Sequence, residues 1–571
     1  MRRNDDRGNP GRWPIPSFFP SRRFRDRLKC WWCRTRGAGE GRLTKVSPDH
    51  RTKKQRERRE LLVASAITIA GILLILFVGI RLATDAGASS KGAGSIQSPA
   101  IAVLPFEARS TDRQNASFGI GLADSIIDHL SDLPSLTVRP MSAALKASAG
   151  ATSPVEAGRL LGVNAIVTGS FESIDNRFVV SVRLIDVPGG AVISERDFES
   201  KVDDLAGLES TVISSTLGVL APRLRFEGPA PQPVPREPNS TAHYLYLLAL
   251  GKLSMYQGAP IPDAVELLEQ SIKADPDYEP AYASLSLACS TMYYSGMTSD
   301  FTWIERAISS ARRAIALDEK DPSAHHALGH ALLGAGEPVE AAREALLALK
   351  LDPNHPRALK LLATLFTGAG LPEHVKLLRA RIASLDPAMD LEWLDIYVGF
   401  KDGHPQETIA RFEAEVTRRL AAGESIESQV MRLGYMSFRT GDSAAALRWA
   451  ATMESVTADK DYADMIRMLA LARTGETAAV RGILERIQSA YQRDWEGCAW
   501  IGMALALVHE NEGAIEWVDR SARLGSYDLE FLDNAVEFDP IRSDPRFEAA
   551  MSLVRGRARE IVQLAAFAGY R

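Results

Sequence analysis

Two helices in the second half of the chain carry the side chains best suited to chemistry. His326 and His330 stand four residues apart in a helix read over 322–334, with Ser323 and Leu333 on the same face. In a second helix, read over 356–368, the matching face holds Arg357, Lys360, Thr364 and Thr367. A guanidinium beside an ammonium can grip a carboxylate or an acidic peptide through charge-assisted hydrogen bonds. An ordinary solvated surface is the competing reading of the same polar face. The spacing of the histidine pair suits zinc, but the sequence offers no third ligand nearby, so no metal is expected.

Elsewhere the chemistry is sparse. Asp124 and Asp128 lie four apart on a helix and read as a solvated face rather than an acid/base pair. The GxG at 119–121 lacks a third glycine and reads as helix packing. No Walker loop, HExxH or GxSxG occurs. The sequence therefore predicts no catalytic residues, no cofactor and no enzymatic activity. Cys289 and Cys498 sit in apolar helical runs and are expected as buried thiols, not a disulfide. Cys30 and Cys33 form a CxxC without a second ligand pair, which leaves a zinc site incomplete.

The candidate residues need a repeating scaffold, and the sequence supplies one. SIKADPDYEPAYASLSLA at 271–288, AIALDEKDPSAHHALGHA at 314–331 and ALKLDPNHPRALKLLATL at 348–365 are versions of one unit. Glu319 to Pro353, Pro353 to Pro387, Gly336 to Gly370 and Gly441 to Gly475 are each 34 residues. Pro276 precedes Glu319 by nine more than that, consistent with a longer loop around Tyr294–Phe301. Small residues such as Ala324, Gly329, Ala341 and Ala348 suit close helix pairs. This pattern resembles the tetratricopeptide repeat, which implies stacked helical hairpins and a groove for a protein or peptide. The repeats are clearest over 239–390 and degenerate over 391–525, and 526–571 reads as a cap.

Upstream, 100–222 alternates apolar strands with amphipathic helices, an α+β pattern. IAVLPFE at 101–107, FGIGLADSIIDHLSDLPSLTV at 118–138, GRLLGVNAIVTGSF at 158–171 and VSVRLIDVPGGAVI at 180–193 resemble the TolB amino-terminal-like domain. That domain brings no catalytic residues to carry over. In bacterial membrane-anchored proteins it commonly precedes tetratricopeptide repeats, and relatives of this architecture are sometimes labelled adenylate cyclases. The Pro-rich stretch 223–238 reads as a stiff linker.

The N-terminal end sets the expected location. Leu61–Ile80 carries no charge and no proline, and a helix of that length spans roughly 30 Å, a bilayer core. Nineteen Lys/Arg stand before it against seven Asp/Glu, so 1–60 is read as a disordered cytoplasmic tail. The span is taken as 61–82 and a Gly/Ala/Ser-rich tether as 83–99. A cleaved signal peptide is the rival reading, disfavoured by the long preceding tail. The basic run Arg51–Arg59 suits anionic lipid, while DNA binding is not expected because no recognition helix is readable. With net charge −5 and mean hydropathy −0.10, the rest must be soluble and acidic.

The sequence thus predicts one N-terminal transmembrane helix, then an α+β domain and an all-α tetratricopeptide solenoid. It would be a single-pass protein of a bacterial inner membrane, its bulk periplasmic, serving as a scaffold for cell-envelope partners. The alternative is a signalling protein whose exported region controls the basic tail.

Overall fold

The computed structural model describes residues 99–569 apart from 110–112, 132, 134–135, 175–176, 202–203, 225–238, 255–260, 295–297, 299, 423–425 and 457–459. The expected tail, span and tether, with Cys30, Cys33 and Arg51–Arg59, fall on residues 1–98 and lie outside the described ones. A mixed sheet is followed by a long all-helical array, as the sequence predicts.

The sheet has the order β3-β1-β4-β5-β6, where β1 is Ala100–Val103, β3 Thr137–Arg139, β4 Ala165–Ile174, β5 Arg177–Asp186 and β6 Val192–Lys201. A two-residue strand, β2 (Glu107–Ala108), also pairs with β4. β1 runs parallel to both β3 and β4, with Ile101 opposite Val138 and Ala165. Ile101, Ala102 and Val103 are all fully buried, as expected of a parallel strand covered on both faces. β5 and β6 are antiparallel and place charged residues such as Glu195, Arg196 and Glu199 along the edge. Among the described residues one helix, Leu205–Arg223, is long and apolar enough to cross a membrane. It packs beside β6 with Leu208, Val212, Leu217 and Leu220 buried, so it serves the core here.

The sheet and the first helices of the array share one hydrophobic core, running from Ile101 to Ala331. The segment 223–238 therefore does not separate two independent bodies. Glycines allow the close approach. A Cβ on Gly121 would lie 1.8 Å from the Leu247 carbonyl oxygen, and one on Gly251 would lie 1.8 Å from that of Ser117. The helices Arg113–Ser131 and Ser240–Ser254 thus meet backbone to backbone. Phe118 continues the seam, with its ring 5.0 Å from Phe171 and Phe178 and 5.5 Å from Tyr244. This explains the GxG at 119–121 as packing, with Gly119 pressed against the Phe106 carbonyl.

In the array, Pro322, Pro338, Pro356 and Pro372 each open a helix, where a missing N–H costs nothing. Ala324, Ala341 and Ala348 are fully buried between helices. The hairpin turns use left-handed residues at Gly336, Gly370, Gly403, Gly441 and Gly475, and then at His509, 34 positions further on. The repeat therefore persists in the backbone where the sequence pattern fades. The array also returns on itself: the last helix, Pro545–Phe567, packs against Asn511–Arg523 and also against Pro338–Leu351. Arg343 pairs with Glu560 at 2.8 Å, and Gly336 lies against Leu524 and Gly525. Cys289 and Cys498 are free and buried.

Candidate functional site

The array brings four of the six expected residues together on its inner face. His326 is 5% exposed, and its ring stands 6.1 Å from that of His330 and 5.4 Å from that of His355. Arg357 and Lys360 enter the same group from the next inner helix, and their charges reach His326. Burial, followed by the neighbouring rings and cations, drives His326 well below the usual imidazole range. His330 falls to about 4 and His355 to about 3, also chiefly through burial. All three are therefore neutral at pH 7. The Nδ1 atoms of His326 and His330 are buried and lack a hydrogen-bond partner.

Three of the expected groove residues are spent elsewhere. Thr364 donates to the Lys360 carbonyl at 3.0 Å, and Thr367, buried, donates to the Thr364 carbonyl at 2.7 Å. Hydroxyls bonded back to their own helix have no proton left for a ligand. Leu333 is buried in the array core rather than facing the groove. Ser323 stays near the group, its hydroxyl 3.4 Å from His355 Nε2.

In the sheet region Asp124 departs from the expected solvated face, whereas Asp128 keeps to it. Asp124 is buried and accepts from the Ser254 hydroxyl at 2.7 Å. Asp128, four residues on, is solvent-exposed. Arg357 is the cation that acts on both carboxylates, and it reaches ion-pair distance with neither. The sequence could not pair residues 124 and 357, because only the long-range fold makes them neighbours.

The sheet region is fixed to the array on both sides of this group. On one side is the seam with Ser240–Ser254, reinforced by a buried network. There Glu209 accepts from His243 Nε2 at 3.0 Å, His243 Nδ1 meets the Tyr278 hydroxyl at 2.8 Å, and His129 lies 3.6 Å from Glu209. On the other side Arg139 donates to the carbonyls of Ser384 and Leu385 at 2.5 and 3.3 Å. Ser142 donates to Asp386 at 2.8 Å. The helices Pro322–Gly334 and Pro356–Gly368 lie between these two attachments. The three histidines, Arg357 and Lys360 thus form a polar cluster on the array between these attachments.

No group of three His, Cys, Asp or Glu able to hold a metal occurs among the described residues.

No family model matches the chain. Over 241 residues, 41% of its length, it is 28% identical to a protein of Rhizobium meliloti named "Putative adenylate cyclase 3". The chain spans 40% of the length of that curated relative. This likeness overturns the expectation that the chain is no enzyme. Among solved structures, it is similar to a tetratricopeptide repeat protein from Parabacteroides merdae, at 13% identity and TM-score 0.33 over 47% of this chain and all of that one. It is also similar to the human IFIT1 dimer with m7Gppp-AAAA, at 12% identity and TM-score 0.33, covering 56% of this chain and 80% of that one. A third likeness, to MamA, has 17% identity and TM-score 0.21, with 32% and 91% covered.

Proposed function

We propose that the chain is a protein- or peptide-binding scaffold, a tetratricopeptide array joined to a TolB-like domain. The span 61–82 would hold it in a bacterial inner membrane, with the array on the exported side. One observation carries this reading: Arg357 and Lys360 stand on the inner face of the array with no side-chain hydrogen bond or ion pair among the described residues. Cations without a paired acid on a polar helix face are suited to an acidic group from outside. The proposed site is Arg357, Lys360, His326 and His330. The test is retention of envelope proteins by the full chain beside an Arg357→Ala/Lys360→Ala variant. A partner held by the first and lost by the second supports the reading, and equal retention refutes it.

The curated relative favours a second reading, cyclisation of ATP. Formation of cyclic AMP from ATP by the full chain in membranes tests it, and absence of turnover with either Mg²⁺ or Mn²⁺ refutes it.

A further inference from the structure

A cavity of about 210 Å³ opens between three successive helices of the array, Pro372–Leu385, Glu392–Lys401 and Pro405–Ala422. Its charged lining is Lys376, Arg379 and Arg411 against a single carboxylate, Asp395. That carboxylate is shared: Arg379 Nε donates to one of its oxygens, and Arg411 Nη2 lies 3.2 Å from the other. One acid for two guanidiniums leaves a positive charge over. The remaining N–H groups of both arginines have no acceptor among the described residues. Lys376 is held from the rim by Asp402 at 2.6 Å and Glu373 at 3.2 Å, whose exposed side chains are screened by water and salt. Thr408 brings no donor, since its hydroxyl goes to the His404 carbonyl at 3.0 Å. Gly399 keeps the wall beside it bare, and a Cβ there would lie 2.1 Å from the Thr408 hydroxyl oxygen. The cations are therefore the donors that the cavity offers, and Arg411, 55% exposed, stands where a ligand can reach it.

We infer that this cavity holds the phosphate group of a small phosphate ester, gripped by Arg379, Arg411 and Lys376. The site shares no residue with the proposed groove and goes beyond that reading. A carboxylate is satisfied by one guanidinium, whereas a tetrahedral oxyanion turns separate oxygens to three cations at once. Its charge of about −2 matches the excess of the lining, three cations over one acid. The volume selects the size of the ligand. At about 210 Å³ the cavity falls below the roughly 300 Å³ where drug-sized sites begin, yet exceeds what a bare phosphate fills. A phosphate carrying a short polar body fits both bounds.

The experiment is isothermal titration calorimetry of the detergent-solubilised full chain with glycerol 3-phosphate, inorganic phosphate and acetate as probes. The expected result is that glycerol 3-phosphate binds, inorganic phosphate binds more weakly, and acetate binds weaker than the ester by about tenfold or more. Arg411→Gln should weaken the ester about tenfold, and Lys376→Gln should weaken it less, because Asp402 already draws that ammonium to the rim. Asp395→Asn should strengthen it about threefold or more, since it removes the competing acid and frees both guanidiniums. A merely structural role for Asp395 would weaken binding instead and refute the inference. Asp395 keeps Arg379 when Arg411 is changed, so Arg411→Gln should retain the wild-type circular dichroism spectrum. If inorganic phosphate binds as tightly as the ester, the ester is refuted and free phosphate takes its place. If acetate matches the ester, or if binding ignores Arg411→Gln and Lys376→Gln alike, the inference falls. If Arg357→Gln abolishes the binding, the anion sits in the groove, and the inference falls while the scaffold reading gains. If none of the probes binds, the inference falls and the scaffold reading is left to its own pull-down.

Discussion

Adjacent stretches of the helical array treat their cations in opposite ways. Over 372–439 most cations pair with an acid, although Arg381 bonds the Pro353 carbonyl and Asn354, and Arg439 bonds the Tyr435 hydroxyl. Arg379 and Arg411 share Asp395, Lys376 reaches Asp402 at 2.6 Å, and Arg432 pairs with both Glu392 and Asp390. Over 322–368 Arg357 and Lys360 have none. Both stretches are built from the same hairpins, so the difference is not one of secondary structure. In the paired stretch the acids come from the array itself. In the unpaired stretch Asp390 and Asp386 of the array act on Lys360 without forming an ion pair. A half-buried pair such as Arg432 with Glu392 holds the array together, whereas the unpaired cations stay available to an outside acidic group.

The largest effect is expected at the seam that joins the sheet region to the array. Gly121→Leu must push the Arg113–Ser131 helix off Leu247, and it should cost roughly 3 kcal/mol or more, the upper end for overpacking. Chemical denaturation of the variant checks this, and a loss under about 1 kcal/mol would mean the seam is loose.

Arg432→Ala should cost about 2 kcal/mol, less than a fully orphaned buried charge because Arg419 and Gln429 still reach Glu392. Its counterpart, Arg357→Gln, should shift stability by less than about 0.5 kcal/mol, as expected where no interaction is lost. Equal losses in the two variants, measured side by side by thermal unfolding, would erase the distinction between the two stretches.

Between these effects lies a pH dependence at Glu279. Burial, and after it Asp321, pushes Glu279 up to about 9 from a usual 4.5. The native state then holds a proton that the unfolded state releases, so this contribution to stability is complete at low pH and is lost as pH rises from about 4.5 to about 9. Glu279→Gln, which mimics the neutral acid, should match wild type near pH 5 and exceed it near pH 9. A variant less stable than wild type at the upper end would reverse the assigned charge state.

Much of the architecture was legible before any coordinates. The 34-residue period fixed hairpins because it depends only on contacts between sequence neighbours, and the strands of 165–186 showed through alternation alone. His326, His330, Arg357 and Lys360 could be placed on one face by the same periodicity. Thr364 and Thr367 were placed there too, but periodicity says nothing of where a hydroxyl proton goes, and both turn theirs to the helix backbone. The turn at His509 escaped notice because a left-handed residue is normally announced by glycine.

What the sequence by itself determined is the order of the elements and the burial of Cys289 and Cys498. Local periodicity and side-chain polarity suffice for these, since each is settled within a few turns of helix. Only the tertiary structure decided that the array closes on its own middle through Pro545–Phe567, and that Ser142 of the sheet region reaches Asp386 of the array. Those relations join residues more than two hundred positions apart. They follow from backbone contacts at Gly121 and Gly251, from the Arg139 hydrogen bonds, and from the curvature of the array, none of which leaves a local pattern to read.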